Sequence, residues 1–253
     1  MAVRRVVVTL LASLSLASTA RAAGINLAWN LCLDEGGAPT KTFACNTNFG
    51  FDRMVVSFVL PAAITRVSGV VATLDLGNAT GTLPAWWEFV NAGACRQNSL
   101  SSFTGPPLGS ALCLDWTGGV GTTAFLYTIG TFGPNTATVK AYNTVKASDI
   151  ANLDADQEYA TVTLTLNHAK TVGFLSSCAG CSTPVCLIVS RIDVYTIDDN
   201  APAITLTNPV HAPASNAAFW QGSVGAPNLP GFCSSAAVPV RGSTWGAVKS
   251  LYR

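Results

Sequence analysis

Eight cysteines carry the densest chemistry in the chain: Cys32, Cys45, Cys95, Cys113, Cys178, Cys181, Cys186 and Cys233. Three of them fall within the nine residues CAGCSTPVC, Cys178 to Cys186. Thiolates so spaced can hold zinc, run redox exchange, or be oxidised to cross-links. A zinc site would draw on Cys178, Cys181, Cys186 and Cys233, with His168 or His211 as spare ligands. No second C-x-x-C accompanies the first, and no strand–helix–strand pattern surrounds the motif as thioredoxin-like chemistry requires. An even cysteine count in an exported chain favours a disulfide framework instead. The expectation is therefore eight cross-linked cysteines, with no metal and no cofactor. Cys32–Cys45 and Cys95–Cys113 make the natural local loops; Cys186 would then join Cys178 or Cys181, and the remaining one Cys233.

Other candidate groups carry weaker chemistry. His168 closes an alternating strand in the register of its apolar residues and reads as a packed, hydrogen-bonded histidine. His211 lies in the loop sequence NPVHAPASN. No G-x-S-x-G elbow accompanies either, so a hydrolase triad has no support. Glu88, Asp115 and Glu158 are the carboxylates from which a glycosidase pair would be drawn. Asp154–Glu158 and Asp198–Asn200 could offer oxygens to calcium but lack the EF-hand glycine and glutamate spacing, and read as solvated turns. The adjacent Trp86 and Trp87 would point to opposite faces of a strand, leaving one ring to stack on a sugar, lie under a loop or cover an edge; Trp29, Trp116 and Trp220 look like core and interface residues.

These groups must be positioned by strands. Tyr159–His168 alternates with period two, setting Ala160, Val162, Leu164 and Leu166 on one face against Thr161, Thr163 and Thr165. Rougher alternation covers 53–60, 70–76, 124–129, 187–195 and 203–207, with Gly/Pro/Asn punctuation between. This predicts an all-β, antiparallel β-sandwich or jelly roll. Two stretches depart from it: Ser148 or Asp149 can cap a helical turn through Leu153, and Ser243 or Thr244 can cap a short amphipathic C-terminal helix bearing Trp245, Val248 and Leu251 or Tyr252. The amino end has the three-part layout of a secretory signal peptide: Arg4-Arg5, an apolar run from Val6 to Leu16, and Ala20-Arg21-Ala22. The expected organisation is a signal peptide over 1–22, a β-sandwich domain over 23–242 and a C-terminal tail over 243–253.

Without Arg4, Arg5 and Arg21, 11 basic residues face 13 acidic ones, so no basic face exists for nucleic acid. After signal removal no segment is long and apolar enough to span a membrane. The blocks WWEFVNAGACR, CLDWTGG, NHAKTVG, CAGCSTPVC, FWQG and TWGAVKSLYR together resemble a family of exported bacterial proteins with no assigned activity. The resemblance implies export, bacterial origin and a fixed cysteine framework. The expected function is non-enzymatic: a secreted, periplasmic or cell-surface protein acting through contacts with a protein or polysaccharide surface. The alternatives are a carbohydrate-binding module using an exposed tryptophan and, less favoured, a secreted hydrolase.

Overall fold

A computed structural model describes residues 22–79, 81–89, 93–174, 176–222, 229 and 233. The signal segment through Arg21 and the C-terminal helix expected over 243–253 lie outside these residues. Among these residues thirteen strands follow in chain order: β1 (Gly24–Trp29), β2 (Thr40–Lys41), β3 (Phe51–Val59), β4 (Ile64–Gly77), β5 (Leu100–Phe103), β6 (Cys113–Asp115), β7 (Thr122–Ile129), β8 (Thr136–Thr144), β9 (Ala151–Leu153), β10 (Glu158–Asn167), β11 (Val185–Thr196), β12 (Ile204–Leu206) and β13 (Ala217–Trp220). Among the described residues the named helical elements are 3₁₀ turns, Leu33–Glu35 and Ala85–Trp87. One sheet runs β1-β3-β10-β5, with β6 parallel on β10; the other runs β2-β13-β11-β4-β8-β7, with β12 on β11 and β9 on β4. The chain is the two-sheeted, all-β protein its alternation predicts.

The core lies between the sheets. Met54, Val56 and Phe58 of β3, Leu74 and Leu76 of β4 and Val162, Leu164 and Leu166 of β10 all face it, 2% exposed or less. Each such side chain contributes ~1.5–3 kcal/mol by leaving water. Two bulges reset which residues point inward. Thr161 is an extra residue between the pairs Ala160–Ser57 and Val162–Val56, and Ser190 between Val189–Leu74 and Arg191–Thr73. One inserted residue reverses the side-chain parity of the rest of the strand. Ala160 therefore leaves the face of Val162, Leu164 and Leu166, contrary to the period-two expectation. It packs on the outer side of the sheet with Cys32, Val55 and Cys113. Likewise Leu187 and Val189 face the core before the second bulge, Ile192 and Val194 after it, while Cys186 and Ile188 face outward onto Leu229 and Cys233.

The helical turn expected to end at Leu153 is absent. Lys146–Asp149 closes a turn and Ala151–Leu153 pairs with β4 as β9, because Leu153 is buried against the core as a strand residue.

Candidate functional site

Cys45, Cys95, Cys178 and Cys181 lie around the buried tryptophans, whereas Cys32 and Cys113 cover the outer face of one sheet and Cys186 and Cys233 that of the other. All eight cysteines form disulfides: Cys32–Cys113, Cys45–Cys181, Cys95–Cys178 and Cys186–Cys233. The expected local pairs Cys32–Cys45 and Cys95–Cys113 do not form, and neither Cys178 nor Cys181 meets Cys186. Sheet order decides otherwise. Cys32 follows β1 and Cys113 opens β6, and both cover the outer face of β3 and β10 at Val55 and Ala160. The first three bridges join the segments 32–45, 95–113 and 178–181 into one covalent ring, a closed path of about 34 residues. The sulfurs of Cys32 and Cys113 and the Glu158 carboxylate lie within 4.8 Å of one another. Those sulfurs are bonded to each other, which leaves no thiolate for a metal.

The CAGC turn seals the tryptophans. Trp86 and Trp87 sit on the 3₁₀ turn that follows Pro84, not on a strand, and both are fully buried. Neither ring can stack on a sugar from solvent, which removes the premise of the sugar-binding reading at these positions. The Trp86 amide donates to the Ala179 carbonyl at 2.9 Å, and Trp86 stacks on Trp220 with ring centroids 5.1 Å apart. Trp87 meets both rings edge-on. The indole N–H of Trp86 donates to Thr171 Oγ1 at 3.0 Å and that of Trp220 to the Cys181 carbonyl at 2.7 Å. Gly180 permits this approach: its φ is +101°, and a Cβ there would lie 2.2 Å from Pro84 Cβ.

Arg96, which nothing in the local pattern announces as buried, completes the cluster. It is 1% exposed. Its guanidinium stacks on Trp86 at 3.6 Å from the ring centroid. It donates from Nη1 to the Trp86 carbonyl at 2.8 Å, from Nε to the Ala169 carbonyl at 3.1 Å, and from Nη2 to the Asn167 carbonyl. Burial pulls its pKa down to about 9, so it stays a cation at neutral pH. Beside it opens a cavity of about 230 Å³, lined by Gln97, Asn98, Asn167, Ala169 and Lys170 among others.

His168 is the packed histidine its register suggests. Its ring stacks on Phe43 at 3.9 Å, and its nitrogens lie 2.9 Å from the Phe49 carbonyl and 3.0 Å from Asp52 Oδ2. Asp52 also pairs with Lys41 at 2.5 Å. His211, in its exposed loop, pairs with Asp34 at 3.0 Å.

The candidate carboxylates are not brought into a shared cleft. Asp115 closes its own turn, accepting from Thr117 and Gly119 amides at 2.9 and 2.8 Å. Glu158 is fully buried rather than a solvated turn residue; it accepts from Asn26 Nδ2 at 3.0 Å and Ser57 Oγ at 2.5 Å. Glu88 lies near the buried Tyr127 phenol, whose pKa is pushed well up by desolvation and, secondarily, by that carboxylate. Asp198 is engaged by Arg66 at 2.7 Å.

Outside this sealed cluster, two loops present phenylalanines to water. Phe49 is 87% exposed and Phe174 93%. Asn48 ties the loops together: its Oδ1 accepts from the Thr171 and Val172 amides at 2.8 and 2.9 Å, and its Nδ2 donates to the Val172 carbonyl at 2.9 Å. Cys45–Cys181 links the same loops covalently. No family model matches the chain by sequence, and no curated protein does. Among the described residues no helix is long and apolar enough to cross a membrane, and four disulfides fit a compartment outside the reducing cytoplasm.

Proposed function

We propose that this is an exported contact protein without catalytic chemistry, whose working face is the loop pair carrying Phe49 and Phe174. Exposure of two large aromatic side chains on neighbouring, cross-linked loops supports this reading, since a tied loop cannot withdraw an apolar residue from water. In this reading the segment 1–22 is a cleaved signal peptide, the protein is bacterial and secreted, periplasmic or surface-held, and the partner is a protein or polysaccharide surface. The carboxylates, engaged separately, support a non-enzymatic role.

The test compares wild type with a Phe49→Ser/Phe174→Ser double variant. Both exposed side chains can change without opening the core, so the melting temperature should hold. Wild type added to washed cells of the producing organism should bind saturably, and the variant should lose most of that binding. Equal binding by the two proteins, or no saturable binding by wild type, refutes the proposal.

A further inference from the structure

Arg96 is held differently from Asp52 and Asp193, two other buried charges. Asp52 has Lys41 and His168 beside it, and Asp193 has Arg191 at 2.7 Å. The partners of Arg96 are three carbonyl oxygens and the faces of Trp86 and Phe89. Carbonyl oxygens and ring faces attract the cation, but none of these partners carries a formal negative charge. A guanidinium has five N–H donors, and those three bonds engage three of them.

The cavity next to this charge has matching chemistry. Lys170 lies on its wall and carries a second cation, held in place by donation from Nζ to the Cys95 carbonyl at 2.7 Å. Gln97 and Asn98 supply side-chain amides and Ser99 a hydroxyl; among the described residues no aspartate or glutamate lines the space. At about 230 Å³ it falls below the ~300–1,000 Å³ typical of pockets for drug-sized ligands. That suits one small polar group, free or at the end of a larger molecule. The walls are fixed: Cys95, beside Arg96, is bridged to Cys178, whose amide donates to the Lys170 carbonyl at 2.8 Å. A charge beside a poorly solvated cation is attracted more strongly than it would be in water.

We propose that this cavity binds a small oxyanion, a carboxylate or phosphate-type group, between Arg96 and Lys170. Neither Phe49 nor Phe174 lines this cavity, so either proposal can fail without the other.

The experiment is an amide and arginine-side-chain NMR titration of the full exported chain with sodium acetate and, separately, inorganic phosphate, at ionic strength held constant with sodium chloride. Saturable shifts confined to 94–99, 167–170 and the Arg96 Nε–H are expected. The tighter of the two anions assigns the class, carboxylate or phosphate. Lys170→Gln, whose side chain is exposed and whose backbone is held by the bridge, should fold normally and bind about fivefold more weakly, the size of one screened charge contact. Lys170→Arg should restore binding. Shifts that fail to saturate or that chloride reproduces would mean an adventitious ion only and overturn the proposal, as would unchanged affinity in Lys170→Gln.

Discussion

Removing any one bridge of the cystine ring should cost nearly the same stability, whatever its span in sequence. The three bridges close loops of 81, 136 and 83 residues if counted singly. Chain-entropy closure at those lengths gives ~4.5–5 kcal/mol and ranks Cys45–Cys181 first. The ring changes this accounting. With the other two bridges intact, the ends of each broken bridge stay connected through the same path of about 34 residues, so each removal releases ~4 kcal/mol of closure. For a chain of this size that corresponds to a melting temperature about 8–16 °C lower. Three double-alanine variants, C32A/C113A, C45A/C181A and C95A/C178A, should therefore unfold at similar temperatures. Tryptophan fluorescence reports it well, because Trp29, Trp86, Trp87 and Trp220 are packed together. Losses differing among the three by more than ~2 kcal/mol, or any loss below ~1 kcal/mol, would show that packing around each bridge rather than shared closure sets its value, and the ring reasoning would fail.

Two further predictions concern titration. Burial raises the Asp75 carboxyl above its ordinary 3.8, against the opposing hydrogen bonds from Ser190 and Thr138. A raised acid favours the protonated fold, so its contribution is complete below pH 3.8 and is lost as pH climbs through the raised value; Asp75→Asn should melt a few degrees higher than wild type at pH 7, with the gap closing in acid, and a pH-independent gap would contradict this. Glu35 has the opposite sign: burial works to raise its carboxyl, but amide donors of Leu112, Ala111 and Cys113 and the Ser110 hydroxyl outweigh it and hold the value low. Its stabilisation is present above pH 4.5 and lost as pH falls through the lowered value, so hydrogen exchange at Ala111–Cys113 should rise on acidification; in Glu35→Gln it should be raised already at neutral pH, and unchanged protection there would exclude the contact.

The sandwich was legible because burial on one face writes a period of two. Val162, Leu164 and Leu166 announce their strand, and Arg53 to Leu60 does so less clearly because Val55 is also buried, against Cys32 and Cys113, and so is Ser57, bonded to Glu158. A bulge has no such signature. Thr161 and Ser190 suit a strand equally well in register or as the extra residue, so strict alternation puts Ala160 on the wrong face. The adjacent tryptophans misled for a related reason: alternation applies only in extended backbone, and the turn after Pro84 places both rings inward. Disulfide partners were hidden further. Short loops are entropically favoured before folding, whereas the pairing seen follows from which strand ends the two sheets bring side by side.

The buried Arg96 was the least legible feature, since its partners are backbone carbonyls, which every residue possesses. Its position nevertheless explains why the ring sits where it does. Cys95–Cys178 ties the Arg96 wall of the cavity to the backbone that carries Lys170, and Cys45–Cys181 ties the loop of Phe49 to that of Phe174. In a protein with few charges and long sheets, such loops would otherwise lose conformational freedom on every encounter. Cross-linking them removes that cost before a ligand arrives. The ring thus stabilises the fold mainly through the unfolded chain, while in the folded chain the same bridges hold two surfaces, one apolar and one cationic, in fixed geometry.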